Sequence, residues 1–171
     1  MLLDAEESQL VLVDYQERLM PAIFEGLAAL ANALRLAQIA QLMEVPVWGT
    51  EQNPSRLGGN DPALRALCQK TLAKMHFSAV PDGLAALLRP PARPPAGNAR
   101  SLPKHLQKPQ QQAPERNMVV IAGCETHVCL LQTALDVQQA GLQAFVLAEA
   151  CGSRRAVDKQ QALQRLQQAG A

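Results

Sequence analysis

Three side chains in this sequence could carry out covalent chemistry if the fold brought them together: the carboxylate of Asp14, the ammonium of Lys74 and the thiol of Cys129. A free thiol ionises near pH ~8.5, so only a few per cent is thiolate at neutral pH. A nucleophilic cysteine therefore needs a base to take its proton or a cation to stabilise its anion. Asp14 can serve as the first and Lys74 as the second. Cys129 lies in the turn that opens a predicted helix, within AGCETHVCLLQTALD. The backbone N–H groups of Thr126–Cys129 and the positive end of that helix's dipole would favour a developing negative charge there, as an oxyanion hole does. Each residue alone has an ordinary explanation. A carboxylate that ends a strand often caps a helix, a terminal lysine is usually solvated, and a cysteine near a helix start usually packs. Joint placement on one rim is what points to a site.

The elements that would place them follow from local pattern. Leu10–Val13 is a short β-branched apolar run ending at Asp14, the mark of a buried parallel strand. Pro21 suits a helix start, and the Ala- and Leu-rich stretch Ala22–Met43 predicts a helix, strongest over Leu27–Met43, with a possible break at Gly26. Val45–Gly49 reads as a second strand followed by the loop TEQNPSRLGGND, and Thr71–Lys74 as a third strand. Asp82 is placed to cap a short helix over Gly83–Leu88. Then come a strand at Met118–Ala122, a helix over Val128–Ala140 ended by Gly141, a strand at Gln143–Ala148 and a last helix over Ala156–Gln168. Strands alternating with helices imply right-handed crossovers in a mostly parallel α/β sheet, whose ligands sit at the carboxyl ends of the strands. Asp14, Lys74 and Cys129 all fall at such ends.

Composition narrows the function classes. With 171 residues, 48% apolar and 18% charged, the chain has the size and balance of one globular domain, residues 1–171. Aromatic residues are only 3%, too few for base stacking to be the main activity. No apolar run approaches the ~18 residues that span a bilayer. The acidic start MLLDAEESQ has no secretory pattern, so the expected location is cytoplasmic, with no membrane partner. Without a secretory pattern, Cys68, Cys124, Cys129 and Cys151 are not expected to form a disulfide framework, and the lack of any CxxC pair among them argues against a structural zinc. Seven of the twelve prolines fall in Pro90–Pro114, beside a Gln110–Gln112 run. The region of about 89–117 therefore reads as an exposed insertion that buries little apolar surface. It carries Arg89, Arg93, Arg100, Lys104, Lys108 and Arg116 against Glu115 alone, although the whole chain has a net charge of +1. Proline and glutamine dilute these charges and no nucleic-acid motif accompanies them, so nucleic acid is not the expected partner.

The stretches VLVDYQERLMPAI, VPVWGTEQNPSRLG, KMHFSAV, VVIAGCETHVCLLQTALD and AEACGSRRAVDKQQAL cover most of the chain outside the insertion. Together they resemble the isochorismatase-like cysteine hydrolases, especially the isochorismatase-domain proteins. The resemblance implies a three-layer α/β/α fold around a mostly parallel sheet. It implies a catalytic triad of Asp14, Lys74 and Cys129, and a cis peptide joining Cys124 to Glu125 that aims the N–H groups of Glu125 and Cys129 at a substrate oxygen. The implied activity is cleavage of small-molecule amides or related C–N bonds through a thioester on Cys129, in a homo-oligomer and without a cofactor. Nicotinamidases of the superfamily carry an Asp-x-His pair and a further histidine after the second strand. Here Thr50-Glu51-Gln52-Asn53 stands in that place, and His76, His105 and His127 lack ligand spacing, so no metal is expected.

Candidate pocket residues are Gln16, Gln52, Arg56, His76, Phe77 and His127, with His76 and His127 equally able to make only local hydrogen bonds. Two other functions stay open: vinyl-ether hydrolysis of an isochorismate-like substrate, for which Arg56 is the obvious carboxylate ligand, and a non-catalytic binding or scaffold role. The insertion, between the third and fourth strands, is expected at the amino ends of the strands, away from the triad. Relatives continue past the position of Ala171 into another strand and helix, so the fifth strand is expected at a sheet edge unless a partner chain covers it.

Overall fold

In a computed structural model, residues 2–89 and 115–171 are described. The strands are β1 (Ser8–Val13), β2 (Val47–Gln52), β3 (Lys70–Lys74), β4 (Met118–Gly123) and β5 (Gln143–Val146). The helices are α1 (Gly26–Leu42), α2 (Pro54–Leu57), α3 (Pro62–Leu67), α4 (Ala85–Leu88), α5 (Leu131–Gln139) and α6 (Ala156–Gln168). All strand pairs are parallel, in the order β3-β2-β1-β4-β5.

The central strand, β1, is buried along its whole length, and its alternate residues face opposite layers. Val11 and Val13 join a core with Leu84, Leu88, Leu130, Val137 and Leu166, under α4, α5 and α6. Leu10 and Leu12 join a second core with Ala33, Ala37 and Leu64, under α1 and α3. The result is a three-layer α/β/α architecture, as expected. The buried face of α1 is built of Ala29, Ala33, Ala37 and Ala40, small residues that let the helix lie close to the sheet.

Several boundaries differ from local expectation, each because a longer-range contact decides it. β2 runs on to Gln52, since Thr50, Glu51 and Gln52 pair with Leu72, Ala73 and Lys74. The presumed loop after it contains α2, and α3 follows, opened by Asp61 Oδ1, which accepts the N–H groups of Ala63 and Leu64. Asp82 does not cap the next helix. Its carboxylate instead accepts the N–H groups of Met75 and His76 in the loop after β3, and a wide turn at Val80–Leu84 leads into α4. A second wide turn, Thr126–Leu130, precedes α5, so the regular helix starts later than predicted. β5 ends at Val146, before a 3-10 turn at Ala148–Ala150. The span of α6 matches the sequence reading.

Most of the Pro-rich insertion lies outside the described residues. Its flanks meet at the amino end of β1, where Gln9 Nε2 donates to the carbonyls of Leu88 (2.9 Å) and Arg116 (2.8 Å). This is the end of the sheet opposite Asp14. Among the described residues, β5 forms one sheet edge and no helix is long and apolar enough to cross a membrane.

Candidate active site

Parallel register fixes the rim. Val13 pairs with Thr50 on one side and Gly123 on the other, and Gln52 pairs with Lys74. Gly123, at φ +155°, lets β4 approach this rim closely: a Cβ there would lie 2.8 Å from the Val13 Cα. Asp14, one residue past β1, adopts φ +55°, a left-handed conformation that aspartate tolerates better than most residues. Its N–H donates to the Thr50 carbonyl (3.2 Å), and its carboxylate turns inward and is wholly buried.

The two carboxylate oxygens are treated differently. Oδ1 accepts the Thr50 hydroxyl at 2.7 Å. Oδ2 lies 2.8 Å from Lys74 Nζ. That ion pair is close but not aligned as a hydrogen bond, so Oδ2 has no hydrogen-bond donor of its own among the described residues. The Lys74 ammonium, also buried, donates to Gln52 Oε1 (2.7 Å) and to the carbonyls of Phe77 (3.0 Å) and His76 (3.3 Å). A buried ammonium is tolerated only with such acceptors around it.

The Cys129 thiol is 7% exposed and feels the charges of both members of this pair. Burial pushes it up to about 12, the Asp14 charge pushes the same way, and Lys74 opposes both. At neutral pH the site therefore holds a protonated thiol, not a stored thiolate. Lys74 favours the anion, as anticipated, but burial and Asp14 outweigh it.

The turn that carries Cys129 is clasped to the segment after β5. The Cys124–Glu125 peptide is cis. The Thr126 N–H and hydroxyl both donate to the Gly152 carbonyl (2.8 and 2.9 Å). His127 Nδ1 lies 3.0 Å from Ser153 Oγ. Glu125 Oε2 accepts the Arg154 N–H (3.2 Å), and its Oε1 lies 3.3 Å from Arg154 Nε. Consecutive residues 125–127 are thus pinned to consecutive residues 152–154. The Glu125 N–H has no hydrogen-bond partner among the described residues.

Comparison with known proteins decides the family. An isochorismatase domain model matches residues 99–171. Isochorismatase domain-containing protein 2 of Homo sapiens is 35% identical over 164 residues, which cover 96% of this chain and 69% of the human protein. Isochorismatase domain-containing protein 2A of Mus musculus is 35% identical over 166 residues, covering 97% and 69%. The chain belongs to the isochorismatase domain family. Membership places it among the isochorismatase-like hydrolases. Among solved structures, the MAR1 ribonuclease of Caenorhabditis elegans superposes with a TM-score of 0.79 at 26% identity, over 99% of this chain and 77% of that one. The YcaC protein of Escherichia coli, described as an octameric hydrolase of unknown specificity, superposes at 0.78 with 24% identity, over 99% and 75%.

Within this isochorismatase domain, the other residues singled out from sequence take varied places. Gln16 is buried and braces the loop after β2: its Nε2 donates to the carbonyls of Gln52 (3.0 Å) and Gly58 (2.7 Å), and its Oε1 accepts the Gln52 N–H (2.8 Å). Gln52 holds Lys74 and donates through Nε2 to the Met75 carbonyl. Arg56 is exposed on α2. His76 is exposed, with Nδ1 3.1 Å from both Asp82 oxygens. Phe77 is 54% exposed and shares a shallow groove of about 440 Å³ with Met75, Pro81, Gln132 and Asp136, and Asp14, Lys74 and Cys129 are not part of its lining. Among the described residues no group of three His, Cys, Asp or Glu side chains is placed to hold a metal ion. Sequence reading missed Thr50, because it ended the second strand at Gly49. The β-branched threonine continuing VWGT was the available signal.

Proposed function

We propose that this isochorismatase-domain protein is a metal-independent cysteine hydrolase of small, uncharged amides or related C–N bonds. One observation carries the reading: Asp14 Oδ2, a buried carboxylate oxygen without a hydrogen-bond donor, lies 2.8 Å from the buried Lys74 ammonium in the surroundings of the protonated Cys129 thiol. The thiol proton passes to Oδ2 as sulfur attacks the substrate carbonyl. The N–H groups of Glu125 and Cys129 receive the oxyanion. The C–N bond then breaks, the departing nitrogen takes the proton from Asp14, and the acyl group remains on sulfur. Water, deprotonated by Asp14, cleaves the thioester and restores the thiol. Lys74 offsets the negative charge on Asp14 and on sulfur.

An uncharged reacting group fits the charge inventory. The Lys74 N–H groups already serve Gln52, His76, Phe77 and the Asp14 charge. That leaves no buried cation for a substrate carboxylate among the described residues, and Arg56 lies exposed on α2. This favours an amide over an isochorismate-like vinyl ether. A scaffold role offers no account of a desolvated carboxylate, ammonium and thiol held together, since each costs free energy to bury. We further infer a homo-oligomer, in keeping with the octameric YcaC, which shares the fold.

The test is a panel of small primary and secondary amides, with ammonia or amine release followed alongside the intact mass of the protein. Turnover with an acyl adduct on Cys129, lost in Cys129→Ala, is the expected result. Undiminished turnover by Cys129→Ala would overturn the proposal.

A further inference from the structure

Thr50 bonds Asp14 twice. Its carbonyl accepts the Asp14 N–H, which holds the backbone where φ turns positive, and its hydroxyl donates to Oδ1. The side chain is wholly buried on β2, and Asn60 Nδ2 donates to the same carbonyl at 2.9 Å, fixing the strand end in turn. With Oδ1 occupied by a donor that cannot leave, the carboxylate cannot rotate freely about its Cβ–Cγ bond, and the oxygen left open is always Oδ2. That oxygen lies against Lys74 Nζ.

We propose that Thr50 is a positioning residue that makes Asp14 a one-sided base, presenting Oδ2 alone to the thiol. The inference rests on the reading in which Asp14 accepts the Cys129 proton. In this role Thr50 acts through Asp14, to which its hydroxyl donates. The titratable groups that face Asp14 are Lys74 from β3 and Cys129 and Cys124 from the segment after β4. None of these sits on β2, so a change at Thr50 alters the hydrogen bond and leaves the neighbouring charges in place. A donor to the charged form of an acid favours that form, and its removal makes the acid hold its proton more tightly.

A substrate-free measurement tests this: the 13C carboxyl shift of Asp14 followed against pH in the full chain. In Thr50→Val, which keeps the β-branched shape and loses the hydroxyl, the Asp14 midpoint moves up by about one pH unit. In Thr50→Ser, which keeps the hydroxyl, it stays at the wild-type position. Thr50→Ala gives the same upward shift, so the result does not hang on one variant folding. On an amide cleaved in the panel above, Thr50→Val lowers kcat about tenfold near the acid limb with KM little changed, and Thr50→Ser restores it. An unmoved midpoint in Thr50→Val and Thr50→Ala, or an equal shift in Thr50→Ser, overturns the role of Thr50 and leaves the cysteine-hydrolase reading standing. Full amide turnover by Asp14→Asn removes that reading itself, and the role of Thr50 with it.

Discussion

Gln52 Oε1 lies 2.7 Å from Lys74 Nζ, and the two residues are register partners across β2 and β3. The Gln52 amide thus accepts from a buried ammonium. Gln52→Met removes that acceptor while keeping the side-chain length. The expected loss is about 1–3 kcal/mol, the usual cost of leaving a buried donor unmet. Urea unfolding of the two proteins measures it, and an unchanged midpoint would show that Lys74 finds another acceptor.

The Lys74–Asp14 pair makes a sharper stability prediction. Both side chains are wholly buried, so Lys74→Met leaves a carboxylate without its counter-charge. A loss of about 3–5 kcal/mol is expected. The double variant Asp14→Asn, Lys74→Met removes both charges and should regain a good part of that loss. A double-mutant cycle by chemical denaturation checks the recovery.

The cysteines tie stability to alkaline pH. Burial raises the Cys129 thiol to about 12 and the thiols of Cys68 and Cys151 to about 11, and it raises Cys124 as well. The unfolded chain loses these protons first. Above about pH 9 the unfolded state therefore binds fewer protons than the native one, and stability falls as pH rises toward 12. Below pH 9 this contribution is fully present. Cys129→Ala should make the decline shallower, as measured by urea midpoints from pH 8 to 11. Thiolate absorbance from Cys129 should be absent at pH 7, and Lys74→Met should delay its appearance further.

The clasp between residues 125–127 and 152–154 predicts a milder effect. Thr126→Val removes the hydroxyl donor to the Gly152 carbonyl and keeps the N–H donor. About 1 kcal/mol of stability should be lost. Acyl-adduct formation on Cys129 should slow, because the turn that carries the sulfur loses one of its ties. Thr126→Ser should behave as wild type in both the unfolding and the adduct measurements.

Much of this architecture was legible in local pattern. The run LVLV ending at Asp14, the clear strand at Met118 and the Ala–Leu helix are decided by residues near one another in the chain, so short-range propensity reports them well. The structure brings Asp14, Lys74 and Cys129 into one buried cluster, which their positions at strand ends had suggested. The third helix went unassigned although Asp61 and Pro62 mark its start, because the glycines and asparagines before it made residues 50–61 read as loop and gave no helix signal beyond them. Asp82 was misassigned because a capping residue and a loop-bracing carboxylate look alike until its partners, the N–H groups of Met75 and His76, are in place.

Residue order alone thus reveals which groups can react and which strand each one follows, since those features depend on a few neighbouring positions. Folding in three dimensions sets the strand order β3-β2-β1-β4-β5, the extension of β2 to Gln52 through its pairing with β3, and the approach of Thr50 to Asp14. It also sets the protonation of Cys129, because the field and the desolvation at one sulfur come from segments up to about a hundred residues apart, and no local window contains them.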